Sequence, residues 1–277
     1  MVSSTGPSPW AARTTGAAPS AAFFDLDKTI IAKSSAMVFS RPFRAGGLIS
    51  RRGVLRSAYA QFLFLLGGAD HDQMEKLRQF MSDLVAGWDV ATVREIVADT
   101  LHHIVDPIVY DEAVTLIAEH QLAGRDVVIV SASGTEVVEP IGAMLGADHV
   151  IASELEEEDG RYTGAIRRYV YAEEKAVAIR AIAAERGYDL DACFAYSDSI
   201  TDVPMLAAVG HPHAVNPDRE LRREAAARGW PVLQFTRPVA LRSRVPSRPT
   251  LAALAVGGVV AVGGVIWAGR RRRTGQI

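Results

Sequence analysis

The sequence of 277 residues holds one cysteine, Cys193, so no disulfide can form within the chain. The disulfide framework on which small secreted domains depend is thereby excluded, and the composition suits a reducing compartment. Cys193 lies in the apolar run "ACFAYSD" and is expected to be a small buried hydrophobe rather than a nucleophile. Net charge is also scarce: 30 Lys and Arg against 32 Asp and Glu leave a formal charge of -2. Such a balance offers no basic face to a phosphate backbone, and no nucleic-acid partner is expected. The first twenty residues, "MVSSTGPSPWAARTTGAAPS", lack the contiguous apolar core of a secretory signal. Rich in Ser, Thr, Gly, Ala and Pro, residues 1–20 read as a disordered tail. The chain also lacks any internal repeat.

Apolar residues are plentiful, at 49% of the chain, which is enough for a well-developed core. One apolar run stands apart. Leu251 to Ala268, "LAALAVGGVVAVGGVIWA", has no charge and no proline. At about 1.5 Å per residue it spans roughly 27 Å, enough to cross a bilayer core. Trp267 and then Arg270 to Arg273 form an aromatic and basic boundary. The expectation is a linker at 236–250, a transmembrane helix at 251–269 and a basic tail at 270–277. Arginines flank both ends, Arg237, Arg242, Arg244 and Arg248 on one side and Arg270 to Arg273 on the other. Charge therefore does not set the orientation. The absent signal and the late position of the helix lead us to expect the preceding segment on the cytoplasmic side of a membrane. Ala253, Gly257 and Ala261 recur every four residues, a small-residue face that could pair two helices into a homodimer.

Short apolar runs at Ala22–Asp25, Asp126–Ser131, His149–Ala152 and Ala192–Tyr196 predict buried strands, with weaker candidates at His213–Val215 and Pro231–Leu233. Helical patterns lie between them: one ending over Pro140–Leu145, one from Ala172 to Arg186 stopped by Gly187, and one from Asp202 to Val209 stopped by Gly210. Alternation of this kind predicts an α/β fold with a Rossmann-like parallel sheet covered on both faces. Residues 33–105 interrupt it. Apolar stripes there (Leu48, Leu55, Tyr59, Phe62 and Leu66; Met74, Leu77, Met81 and Leu84; Val93, Val97, Leu101 and Ile104) follow helical spacing. Asp89 is placed to cap the last of these helices. The reading is an all-helical cap at 33–105 inserted into a core of 21–32 and 106–235. "IASELEEEDGRYTGAI" predicts a hairpin turning at Asp159-Gly160.

Ligands of an open parallel sheet bind beyond the carboxyl ends of its strands. Three predicted strands end in residues that carry chemistry. The first ends at Asp25, with Asp27 and Thr29 just beyond; the second, "VVIVSASG", ends at Ser131; another, "CFAYSDSITDVPML", runs to Asp198, with Asp202 opening the next helix. Lys175 lies near the start of the helix before that strand. Each residue alone has an ordinary reading as a turn, a cap or a solvated side chain. Converging carboxylates, however, repel one another unless a cation intervenes. A hard divalent ion such as Mg²⁺, held by a few carboxylates, water and substrate phosphate, relieves the repulsion. A lysine and a hydroxyl beside it suit the oxygens of a phosphoryl group.

"DLDKT", "VSASG", a downstream lysine and "SDSITD" resemble, in order, the four motifs of the haloacid dehalogenase superfamily. The helical insert after the first motif resembles the phosphoserine-phosphatase-like branch, subfamily IB. The resemblance covers roughly residues 20–235 and implies a Mg²⁺-dependent phosphomonoester hydrolase. It assigns Asp25 as nucleophile, forming an aspartyl-phosphate, and Asp27 as general acid and then base. It gives Mg²⁺ to Asp25, Asp27 (through its backbone carbonyl) and Asp198, with Asp202 and Thr29 in support. Ser131, the N–H of Ala132 and Lys175 would bind phosphoryl oxygens. Two departures bear on substrate. Phosphoserine phosphatases carry a glutamate nine residues after the nucleophile to bind the serine ammonium; that position here is Ser34. The fourth motif reads Ser199, Ile200 and Thr201 where Gly and Asn are usual. A larger or more apolar leaving group is expected from the aromatic and Arg-containing insert. Should an ammonium need a carboxylate, Glu75, Asp83 and Asp89 are the candidates. The alternatives are a phosphoserine phosphatase, and a non-catalytic regulator or binding module on the same fold.

Overall fold

The computed structural model describes residues 18–49, 79 and 82–238. The elements among them, in chain order, are β1 (Ala21–Phe24), α1 (Ser35–Ala45), α2 (Val90–Ile104), α3 (Asp111–Leu122), β2 (Asp126–Gly134), α4 (Thr135–Leu145), β3 (His149–Glu158), β4 (Arg161–Arg168), α5 (Glu173–Arg186), β5 (Phe194–Ser197), α6 (Val203–Ala207), β6 (His211–Val215), α7 (Arg219–Arg228) and β7 (Val232–Leu233). They form the expected Rossmann-like sheet, seven strands in the order β4-β3-β2-β1-β5-β6-β7. Only the β3–β4 pair is antiparallel.

Strand β1 is central and wholly buried, which is why its sequence, AAFF, has no polar position. Alternate residues face opposite layers. Ala21 and Phe23 pack with Ala178 and Ile179 of α5, Met205 and Leu206 of α6 and Leu221 of α7. Phe24 turns the other way, stacking on Tyr196 at 4.5 Å and meeting His120 of α3 edge-on at 5.9 Å. Cys193 is buried within the first of these layers, and its Sγ accepts from Ala21 N–H at 3.2 Å.

The two chain crossings into the insert run side by side: Ala32 N–H donates to Ile108 O (2.8 Å) and Tyr110 N–H to Ile30 O (2.9 Å). Helix α2 begins where expected, Asp89 accepting from Thr92 N–H at 2.8 Å, and it buries Val93, Val97 and Leu101. The insert is not helical throughout. Around Trp88 the chain extends along β4: Gly87 N–H donates to Tyr162 O (2.7 Å), Tyr162 N–H to Trp88 O (3.0 Å) and Val90 N–H to Gly160 O (3.0 Å). This pairing joins the insert to the tip of the hairpin and was not expected, because a single rung of extended backbone leaves no period-2 pattern. The hairpin turns at Asp159-Gly160 with φ of 49° and 75°, the left-handed pair that an Asp-Gly turn supplies. The expected stripes at Leu55–Leu66 and Met74–Met81 lie outside the described residues.

Boundaries differ at both ends of the core. Ser20 O accepts from Asp126 N–H (3.2 Å) and Pro19 O from Asp189 N–H (2.9 Å), so Pro19 and Ser20, assigned to the tail, are bonded to the core. Residues assigned to the linker are likewise bonded: Asp111 N–H donates to Arg237 O (2.8 Å), and Glu112 accepts from Thr236 N–H (2.9 Å). Strand β2 continues past Ser131 to Gly134, with a register shift against β3 after Val130. The helix expected from Asp202 to Val209 is shorter: Ile200–Asp202 forms a 3₁₀ turn ahead of Pro204, and the α-helix runs only over Val203–Ala207. No helix among the described residues is long and apolar enough to cross a membrane, and segment 251–269 lies outside them.

Candidate active site

Parallel register brings the chemical residues together. Phe24 aligns with Ile129 of β2 and Tyr196 of β5, so Asp25, the end of β2 and Asp198 emerge at one edge of the sheet. Asp25 N–H still donates to Tyr196 O at 2.9 Å, which fixes the aspartate backbone to the neighbouring strand. Asp25, Ser131, Lys175, Asp198 and Asp202 are all buried.

Lys175 is the hub. Its Nζ lies 2.6 Å from Asp25 Oδ1 and 2.7 Å from Asp202 Oδ2. Asp202 Oδ2 also accepts from Ser197 Oγ at 2.6 Å. Asp202 is thereby linked to Asp25 through the lysine. Burial alone would lower the Lys175 pKa; Asp202 and Asp25 outweigh it, so the ammonium stays charged. One buried cation is too little for the carboxylates present. Burial raises the pKa of Asp25; Lys175 opposes this, and the charges of Asp202, Asp198 and Asp27 add to it. Burial likewise raises Asp198, against the partial relief of Lys28, whose Nζ is 3.8 Å from its Oδ2.

This excess of buried negative charge is the feature that fits a hard divalent cation. Asp25 and Asp198 can supply carboxylate oxygens. The Asp27 side chain is directed elsewhere, so only its backbone carbonyl is a candidate donor. Among the described residues no three Asp, Glu, His or Cys side chains make a ready-made cage. Two carboxylates and a carbonyl still fit Mg²⁺, which keeps several of its waters.

Asp27 is held by the start of α1. Its Oδ1 accepts from Ser35 N–H at 2.9 Å, and its Oδ2 from Ser35 Oγ at 3.2 Å and Ser34 Oγ at 3.3 Å. Burial raises its pKa, while these bonds pull the other way. A carboxyl that holds its proton more tightly than usual suits a general acid.

Ser131 ends the buried part of β2, and its Oγ accepts from Ser133 N–H at 3.2 Å. Ala132 lies beside it, half-buried. Thr29 is buried too, but its hydroxyl has no hydrogen-bond partner among the described residues and stands apart from the bonded constellation. Three residues here escaped the sequence reading: Ser35, Ser133 and Ser197. Ser197 left a signal, a hydroxyl at the end of an apolar strand directly before Asp198. Ser35 and Ser133 left none, because serine after a strand or at a helix start is ordinary.

Residues 22–207 match the haloacid dehalogenase-like hydrolase family. The chain belongs to that family. It is 62% identical to the "Inhibition of morphological differentiation protein" of Streptomyces azureus, over 91% of this chain and 94% of that one. It is 60% identical to a "Probable phosphatase" of Mycobacterium tuberculosis H37Rv, over 89% and 87%. A protein of the same organism named phosphoserine phosphatase is 35% identical, over 87% and 79%. A solved structure of a Bordetella pertussis protein of unknown function superposes with a TM-score of 0.70 at 30% identity, covering 78% of this chain and 99% of that one. The branch indicated by the motifs thus has named relatives across most of the chain, and these support the implied enzyme class, a phosphatase.

Proposed function

We propose that the protein is a Mg²⁺-dependent phosphomonoester hydrolase that works through a phosphorylated Asp25. The observation that carries this reading is the buried Lys175, which bridges Asp25 and Asp202 at an edge crowded with carboxylates. A carboxylate oxygen of Asp25 attacks phosphorus, the bond from phosphorus to the leaving oxygen breaks, and that oxygen takes the proton of Asp27. Asp27, now ionised, takes a proton from water as the water attacks the phosphoryl group. The Asp25–phosphorus bond breaks, inorganic phosphate leaves, and the Asp25 carboxylate is restored. Lys175 offsets charge on the nucleophile, and Ser131 with the N–H of Ala132 orients the phosphoryl oxygens. Mg²⁺, held by Asp25, Asp198 and the Asp27 carbonyl, would supply charge neutralisation at the phosphoryl group.

Phosphoserine phosphatase is a second reading, favoured by the relative of that name. Ser34 speaks against it, being neutral and engaged with Asp27. A non-catalytic role is disfavoured by the intact set Asp25, Asp27, Ser131, Lys175, Asp198 and Asp202. The substrate we favour is a small phosphomonoester near a membrane, to which segment 251–269 anchors the enzyme on its cytoplasmic side. Phosphate release from p-nitrophenyl phosphate, with Mg²⁺ and with EDTA, tests the reading. Release that requires Mg²⁺ supports it, and no release under either condition removes it.

A further inference from the structure

We propose that Ser35 and Ser133 are positioning residues for Asp27, forming a hydroxyl chain that fixes the acid–base carboxyl against the phosphate-binding loop. Ser35 is 1% exposed and contacts Asp27 twice, through N–H at 2.9 Å and through Oγ at 3.2 Å. The same Oγ lies 2.7 Å from Ser133 Oγ, across 98 positions of sequence. Ser133 N–H in turn donates to Ser131 Oγ at 3.2 Å. A path therefore runs from Asp27 through the hydroxyls of Ser35 and Ser133, and the backbone N–H of Ser133 makes the last link to the hydroxyl assigned to the phosphoryl group.

A bland alternative is that Asp27 merely caps helix α1. The N-cap residue, Ser34, makes no side-chain capping bond, and Asp27 Oδ1 takes the first helical N–H instead. Capping needs only that N–H. It gives no reason for the Ser35 hydroxyl to be buried between Asp27 and Ser133. Two independent bonds from one residue to both carboxylate oxygens fix the plane of the group as well as its place. A general acid must hold one oxygen towards the leaving group, so the plane matters for proton transfer. Ser133 stops Ser35 Oγ from rotating away.

This inference rests on the phosphatase reading and makes a prediction that the reading alone does not. Ser35→Ala keeps the N–H and therefore the cap, so the helix should remain. Its effect should depend on the leaving group. An alkyl phosphate needs protonation of its alkoxide, whereas p-nitrophenolate leaves without a proton at neutral pH. Because kcat/KM covers only steps up to loss of the alcohol, Ser35→Ala should lower it about tenfold or more for an alkyl phosphate such as glycerol phosphate, and by less than about twofold for p-nitrophenyl phosphate. Ser133→Ala should do the same more weakly, and Ser35→Thr should restore the alkyl rate. Equal losses on both substrates, or no loss on either, would overturn the proposal. A crystal structure of Ser35→Ala gives a readout independent of turnover. Asp27 should change rotamer; an unmoved Asp27 would also refute the assignment. If the unaltered enzyme releases no phosphate from any ester while Asp27 moves in the variant, the phosphatase reading has failed and the positioning role stands.

Discussion

Lys175 donates to Asp25 across 150 positions of sequence, at 2.6 Å and with both side chains buried. Neither residue is tolerable there alone. An unpaired buried ammonium or carboxylate would shed its charge or disrupt the core. Together with Asp202 they form a triad in which stability and chemistry share the same atoms.

Replacing Lys175 with Met keeps the side-chain length and removes the charge. Activity should vanish, and stability should fall by about 3–5 kcal/mol, because two buried carboxylates lose their counter-ion. Urea unfolding measures the second effect. Adding Asp202→Asn to Lys175→Met should recover part of the loss, a coupling expected of groups in one network. Equal stability of the single and double variants would show that the triad is not energetically coupled.

The carboxylates also set a pH dependence for the metal-free protein. The pKa values of Asp25 and Asp198 are raised in the fold, so the folded state binds more protons than the unfolded one above the ordinary carboxylate range. Their contribution is fully present below about pH 4 and is lost as pH rises through the folded value, about 7 for Asp198. In EDTA, melting temperature should therefore drop from weakly acidic to weakly alkaline pH, in contrast to the rise expected of ion-paired surface carboxylates. Asp198→Asn should flatten this slope. Mg²⁺ should restore stability most at the alkaline end, where the carboxylates are ionised. A melting temperature that rises with pH in EDTA would contradict the charge balance described here.

Much of this site was readable from sequence because its residues interrupt apolar runs. Asp25 follows AAFF and Asp198 follows FAYS, and a carboxylate directly after a buried strand is conspicuous. The Asp159-Gly160 turn and the Asp89 cap were readable for a different reason, since each uses the residue that its local geometry favours. The serines around Asp27 were hidden, because their meaning lies in contacts such as Ser35 with Ser133 that only the folded chain creates. The pairing of residues 87–90 with β4 was hidden in the same way.

Ser34 bears on the substrate. With Ser34 on Asp27, no charge occupies the position that would hold a serine ammonium. Of the alternative carboxylates, Asp89 caps α2 and Asp83 accepts from Gln79, while Glu75 lies outside the described residues. The missing charge-assisted contact is worth roughly 1.5–3 kcal/mol, or about tenfold to a hundredfold in kcat/KM. Phosphoserine should rank low in a panel of serine, glycerol, sugar and lipid-headgroup phosphates. Ranking first would show that another residue binds the ammonium.

The proposed anchor is tested by membrane fractionation. The full chain should require detergent for release, and a chain ending at Arg248 should not. Should both remain soluble without detergent, the apolar segment is not an anchor and the argument for a membrane-associated substrate goes with it.

The aspartyl-phosphate is the centre of the account, and Asp27→Asn offers a direct way to see it. With p-nitrophenyl phosphate the leaving group needs no proton, so Asp25 should still be phosphorylated. Water activation should slow by about two to four orders of magnitude without the Asp27 carboxylate. Acid quench followed by peptide mass spectrometry should then find the phosphoryl group on Asp25, with stoichiometric p-nitrophenol release, and neither should occur when Asp25→Asn is added. Continued turnover of the Asp25→Asn protein, or a phosphoryl group on any other residue, would contradict the mechanism.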